Sequence, residues 1–146
     1  LPLPGFTIST DRVGPRRWVQ VRIHPTLEHL YRAADRAAPT EGGEGVDWAG
    51  LGVSACFQPI GFSDVVDGWP TWPRNGYAGI LRFAEGLVTP EIVAHEVVHA
   101  ACWIYRMNVK ADMRLGKGCG THEEQLAYIT GELSAGMAKH IRYDTP

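Results

Sequence analysis

The chain has 146 residues and a formal net charge of -2, with 45% hydrophobic and 21% charged residues. That length fits a single domain spanning residues 1–146, large enough to bury a core without disulfide staples. The near balance of charge speaks against a nucleic-acid binder driven by phosphate neutralisation, and no stretch approaches the run of about 20 apolar residues that a bilayer requires.

Residues 1–15 carry little pattern and read as an extended arm. Residues 17–24 alternate apolar and polar side chains, as a half-buried strand does. Pro25 suits the first turn of a helix in which Leu27, Leu30, Tyr31 and Ala34 recur at helical spacing, ending near Ala38. The glycine-rich segment 41–45 is a loop. Residues 51–57 form a short apolar run, read as a strand. The segment 58–76 is rich in glycine and proline and reads as one long loop, a kind of element that is often functional. Residues 77–83 are a further strand.

Thr89, Pro90 and Glu91 combine a capping hydroxyl, a proline at the first helical position and a carboxylate in the first turn. They predict a helix running to about Arg106. Its flanks are apolar almost all round, which predicts a buried helix. Residues 108–120 read as a basic loop, with Lys110, Arg114 and Lys117 on a solvated face. A last helix starts at Thr121 and ends near Ile141. The order of elements predicts an α+β domain, a small mixed or antiparallel sheet covered by helices.

The helix from Pro90 carries His95-Glu96-Val97-Val98-His99. Residues four apart lie on one helix face, so His95 and His99 can grip one ion. The pattern points to zinc, one per chain, with Glu96 beside the same opening as a general base. Zinc brings the pKa of a water it holds to about 7. Two histidines and a glutamate on a buried helix are costly unless paired or metal-bound. The competing reading is a structural helix whose histidines hydrogen-bond in the core.

A catalytic zinc site takes three protein ligands and keeps one position open. The best source of the third is Thr121-His122-Glu123-Glu124. His122 is a good zinc ligand and Glu123 a possible one. Thr121-x-x-Glu124 is also a capping box, which would occupy Glu124 structurally. All three candidates stay open on the residues alone. Tyr128, Tyr105, His140 and Arg142 are candidate donors to a developing oxyanion. Trp69 and Trp72 fit a loop pinned over the core better than a substrate wall. Cys102 fits a small buried hydrophobe better than a fourth ligand. Cys119-x-x-His122 has metal-ligand spacing, but a lone pair is a weak signal.

His-Glu-x-x-His on one helix and a glutamate on the next resembles the gluzincin metallopeptidases. Glu124-Gln125-Leu126-Ala127 matches their Glu-x-x-Ala pattern, and Tyr128 departs from it where a small polar residue is usual. Size and element order are similar to the compact ImmA/IrrE-type metallopeptidase domain and to small phage-encoded peptidases. The motif likeness covers about residues 90–133; over 17–85 it is architectural.

The resemblance implies a minimal zincin-like domain and a hydrolase acting on a peptide or protein. It implies zinc held by His95, His99 and Glu124. It also implies that strand 77–83 is a sheet edge, with Gly79, Ile80 and Leu81 lining the substrate cleft; the alternative is an ordinary core strand. A second functional reading is a non-catalytic zincin-fold binding or sensor module, such as a phage accessory protein with a structural zinc.

Three cysteines, Cys56, Cys102 and Cys119, are an odd and sparse set. They favour a reducing compartment over a disulfide framework. Residues 1–5 lack the basic start and apolar run of a signal peptide. The expectation is therefore a cytoplasmic protein, in host cytoplasm if phage-encoded, with a secreted form left open because the first residue is not Met. No membrane partner is expected.

Overall fold

A computed structural model describes residues 4–37, 47–61, 63–109 and 121–144. The alternating segment forms β2 (Arg17–His24), with Val19 and Val21 wholly buried. Ahead of it the arm holds a strand, β1 (Gly5–Thr10), paired antiparallel with β2. Phe6 and Ile8 alternate there with Thr7 and Ser9, a run too short to distinguish a strand from an extended arm. Helix α1 (Leu27–Ala37) follows, with Leu30 and Ala34 buried. The next strand, β3 (Ala55–Pro59), starts later than residue 51, because residues 48–52 form turns. The expected long loop contains a short hairpin of β4 (Asp64–Val66) and β5 (Trp69–Thr71). Then come β6 (Tyr77–Ala84), α2 (Pro90–Asn108) and α3 (Thr121–His140).

The fold is α+β: a mixed four-stranded sheet in the order β1-β2-β6-β3, a separate hairpin, and three helices packed on the sheet. β6 runs parallel to β2 and antiparallel to β3. This corrects the expectation for strand 77–83. β6 lies inside the sheet, and Gly79, Ile80, Leu81 and Arg82 are all buried. The edge strands are β1 and β3, and β3 is the one that packs against α2. Parallel pairing to β2 could not be read from β6 alone, because it depends on a partner more than fifty residues away.

Side chains of β6 alternate between two cores. Leu81 and Phe83 join Val19, Val21, Val97 and Ile104 beneath α2 and α3. On the opposite face Ala84 and Cys56 pack with Leu30 and Ala34 of α1. Each fully buried aliphatic or aromatic chain of this kind contributes about 1.5–3 kcal/mol.

The α1 face also holds a buried polar chain. Arg82 Nε donates to Gln58 Oε1 at 2.7 Å, and Gln58 Nε2 donates to the Ala34 carbonyl at 2.8 Å. Arg82 Nη1 lies 3.3 Å from His24 Nε2. An arginine has only donors, so His24 accepts there and its ring is neutral. Burial, reinforced by the Arg82 charge, depresses the His24 pKa to about 4. A lowered folded-state pKa disfavours proton uptake by the native state. Its stabilising effect is therefore complete above the unfolded value of 6.5 and is lost as pH falls towards 4. Denaturant titrations at pH 7 and pH 4.5 should show a loss of up to about 3 kcal/mol, and His24→Asn should flatten that dependence. No helix among the described residues is long and apolar enough to cross a membrane.

Candidate metal and catalytic site

α2 begins as its sequence predicts. Thr89 is the N-cap, and its Oγ1 accepts from the Ile92 amide at 3.3 Å, with Pro90 in the first turn. The helix is not buried all round, however. Val93, Val97, Ala100, Ala101 and Ile104 enter the core, whereas His95, Val98 and His99 face outward. The His95 side chain is 68% exposed and that of Glu96 only 9%. The argument from costly burial thus applies to Glu96 alone. The outward histidines must be explained by what they do together.

What they do is converge. His95 Nε2 and His99 Nε2 are 3.2 Å apart, and the rings meet edge to face. Two nitrogens each 2.0–2.1 Å from one tetrahedral ion stand about 3.3–3.4 Å apart, so this spacing is close to that of a zinc-bound pair; it is equally the length of a hydrogen bond from one ring to the other. Glu96 Oε1 lies 3.9 Å from His95 Nε2. Burial raises the Glu96 pKa, while His99, His95 and a hydrogen bond from the Phe57 backbone amide act against that rise. Phe57 belongs to β3, so the edge strand clamps the carboxylate from one flank.

These residues line a cavity of about 990 Å³. The strand β3 and the turn before it form one wall, contributing Val53, Ala55 and Phe57. α2 forms the other, and besides the motif it presents Glu91, Cys102, Trp103 and Arg106. Cys102 is half-buried and burial raises its thiol pKa, as suits a small hydrophobe. Trp72 packs edge-on against Trp103, with ring centroids 5.4 Å apart, and ties the hairpin region to α2. Trp69 is 42% exposed and lies outside this cavity.

The candidates on α3 are placed by the phase of that helix. Ile129, Leu133 and Met137 enter the core, with Leu126 packed against it. His122 lies on the same stripe, and its Nδ1 meets the hydroxyl of buried Tyr105. Glu123 is half-buried and Glu124 is exposed. None of the three lines the cavity. Among the described residues no three His, Cys, Asp or Glu side chains stand close enough together to hold an ion.

Tyr128 is 48% exposed and stacks on the Arg12 guanidinium, away from the cavity, whereas Tyr105 lines it. Residues 110–120 lie outside the described residues, and with them Lys110, Arg114, Lys117 and Cys119.

Sequence reasoning missed Glu91, Arg106 and the Phe57 amide. Glu91 and Arg106 fall on the helical stripe through His95 and were within reach of the 3.6-residue period. The Phe57 amide was not, because a backbone donor carries no sequence mark. Comparison of the chain with protein-family models, curated proteins and solved structures finds no match.

Proposed function

We propose that this chain is a zinc-dependent hydrolase of the zincin type, cleaving peptide bonds. The observation that carries the reading is the convergence of His95 Nε2 and His99 Nε2 beside the buried Glu96 carboxylate, in one cavity. His95 and His99 hold the ion, with His122, Glu123 or Glu124 of α3 as the third ligand. Bound zinc supplies Lewis acidity that makes hydroxide available near neutral pH and polarises a carbonyl.

The chain's own groups do the rest. Glu96 takes the proton from the attacking water, holds it, and delivers it to the departing amine nitrogen. Its raised pKa makes it a stronger base than an exposed carboxylate, and the Phe57 amide fixes its orientation. Apart from the Phe57 amide, which is bonded to Glu96, the outer edge of β3 offers backbone groups to an extended peptide lying along the cavity. Among the described residues Tyr105 is the one tyrosine in the cavity lining, and its buried hydroxyl is engaged by His122.

Metal analysis tests the reading. One zinc per chain is expected, with loss of zinc in one member alone of the set His122→Ala, Glu123→Ala and Glu124→Ala. Zinc retained by the double variant His95→Ala, His99→Ala would overturn the site. Removal of zinc by a chelator should silence hydrolysis and leave the chain folded, because the two cores do not depend on the ion. Unfolding on chelation would instead mark a structural metal and the non-catalytic reading.

A further inference from the structure

We infer that the cavity is charge-polarised along α2 and selects an extended peptide bearing a carboxylate, recognised by Arg106, about three residues to one side of the cleaved bond. The inference rests on the peptidase reading and names its substrate class. Glu91, His95, His99, Cys102 and Arg106 follow one another at intervals of three and four residues, which places them on one helix stripe. All five line the cavity. The stripe therefore runs from an anion at one end, past the metal-binding pair, to a cation at the other.

At 1.5 Å of rise per residue, Arg106 lies about 10 Å beyond His99 along the helix. An extended peptide covers that distance in about three residues. Arg106 is held over the Trp103 ring, its guanidinium carbon 5.2 Å from the ring centre. This stacking leaves the planar donor edge free for a carboxylate. Among the described residues no carboxylate pairs with Arg106, and none of their cations pairs with Glu91.

A charge of the right sign at each helix end also complements the helix dipole. That role asks only for the first or last turn and not for a particular face. The dipole does not account for both residues opening into the same cavity as the histidines. Glu91 correspondingly receives an amine or a basic side chain on the other side of the bond. The two charges fix the direction in which the peptide lies.

The test uses the zinc-loaded chain and peptide libraries of randomised sequence, one with free and one with amidated C-termini, with cleavage sites read by mass spectrometry. Asp or Glu should be enriched at about the third position on one side, or cleavage should favour the free carboxyl terminus, by about 10–100-fold. The two libraries distinguish a side-chain from a terminal carboxylate. Arg106→Gln should abolish the preference, and Arg106→Glu should turn it towards Lys and Arg.

Cleavage without an acidic preference, or a preference that survives Arg106→Glu, would overturn the inference. If no peptide is cleaved, the hydrolase reading fails separately. Fluorescence anisotropy with labelled acidic and neutral peptides on the Glu96→Gln variant then decides. Tighter binding of the acidic peptides, lost in the Glu96→Gln, Arg106→Glu double variant, upholds the inference, and equal binding rejects it.

Discussion

Replacing Glu96 by glutamine is expected to lower hydrolysis by about 10²–10⁴-fold, the usual contribution of a general base, with zinc content unchanged. The substitution keeps the shape of the side chain, and the amide oxygen can still accept from the Phe57 backbone amide. What it removes is the ability to take a proton. It also removes a carboxylate whose pKa is raised mainly by burial, so the charge is no longer held in a site that disfavours it. The melting temperature of the metal-free chain should therefore stay level or rise. Loss of activity with full zinc and a stable fold separates the chemical role of Glu96 from a structural one. Activity near that of the wild type would place the general base elsewhere.

Gly79→Ala should cost about 2–5 kcal/mol, combining backbone strain with overpacking. Gly79 has φ +150 and sits where β6 shifts its pairing with β2. A Cβ there would stand 2.5 Å from the Gln58 carbonyl oxygen and 2.8 Å from the Phe57 ring. Neither neighbour can yield without moving β3. Urea unfolding should show the lost stability, and any hydrolysis by the residual folded chain should be slower as well, because the displaced strand carries the amide that orients Glu96. Full stability in this variant would mean that the β3–β6 pairing tolerates a side chain there. Gly79 thus matters to the site by letting the edge strand approach, although it does not itself line the cavity.

Helix-borne features were the legible part of this protein. Thr89-Pro90-Glu91 announces the start of α2, and the four-residue spacing of His95 and His99 announces their convergence, because both signals are local. The sheet was harder to read. β1 alternates only over the short run Phe6 to Ser9, and for β6 the edge that the resemblance implies gives way to the alternative, a core strand paired on both sides. Strand order depends on contacts between distant segments, which no local pattern encodes. The apolar flanks of α2 suggested a fully buried helix, because Ile92, Val98 and Trp103 count as apolar wherever they point. In the fold Val98 is exposed and Trp103 lines the cavity. On α3 the Glu-x-x-Ala match drew attention to Glu124. The core stripe through Ile129 and Leu133 turns His122 inward instead.

The polar chain behind the sheet bears on the precision of the face that carries Glu96. An edge strand is bonded on one side only and is the strand most free to slip. A slip of β3 by one residue would exchange its two faces, sending Gln58 towards α2 and turning Phe57 to α1. Gln58 is anchored at both ends, to Arg82 of β6 and to the Ala34 carbonyl of α1. Slippage would take from the buried Arg82 guanidinium one of its two acceptors, leaving only His24. The sheet therefore proofreads its own edge: a lock on the face away from His95 and His99 guarantees which amide is presented to Glu96.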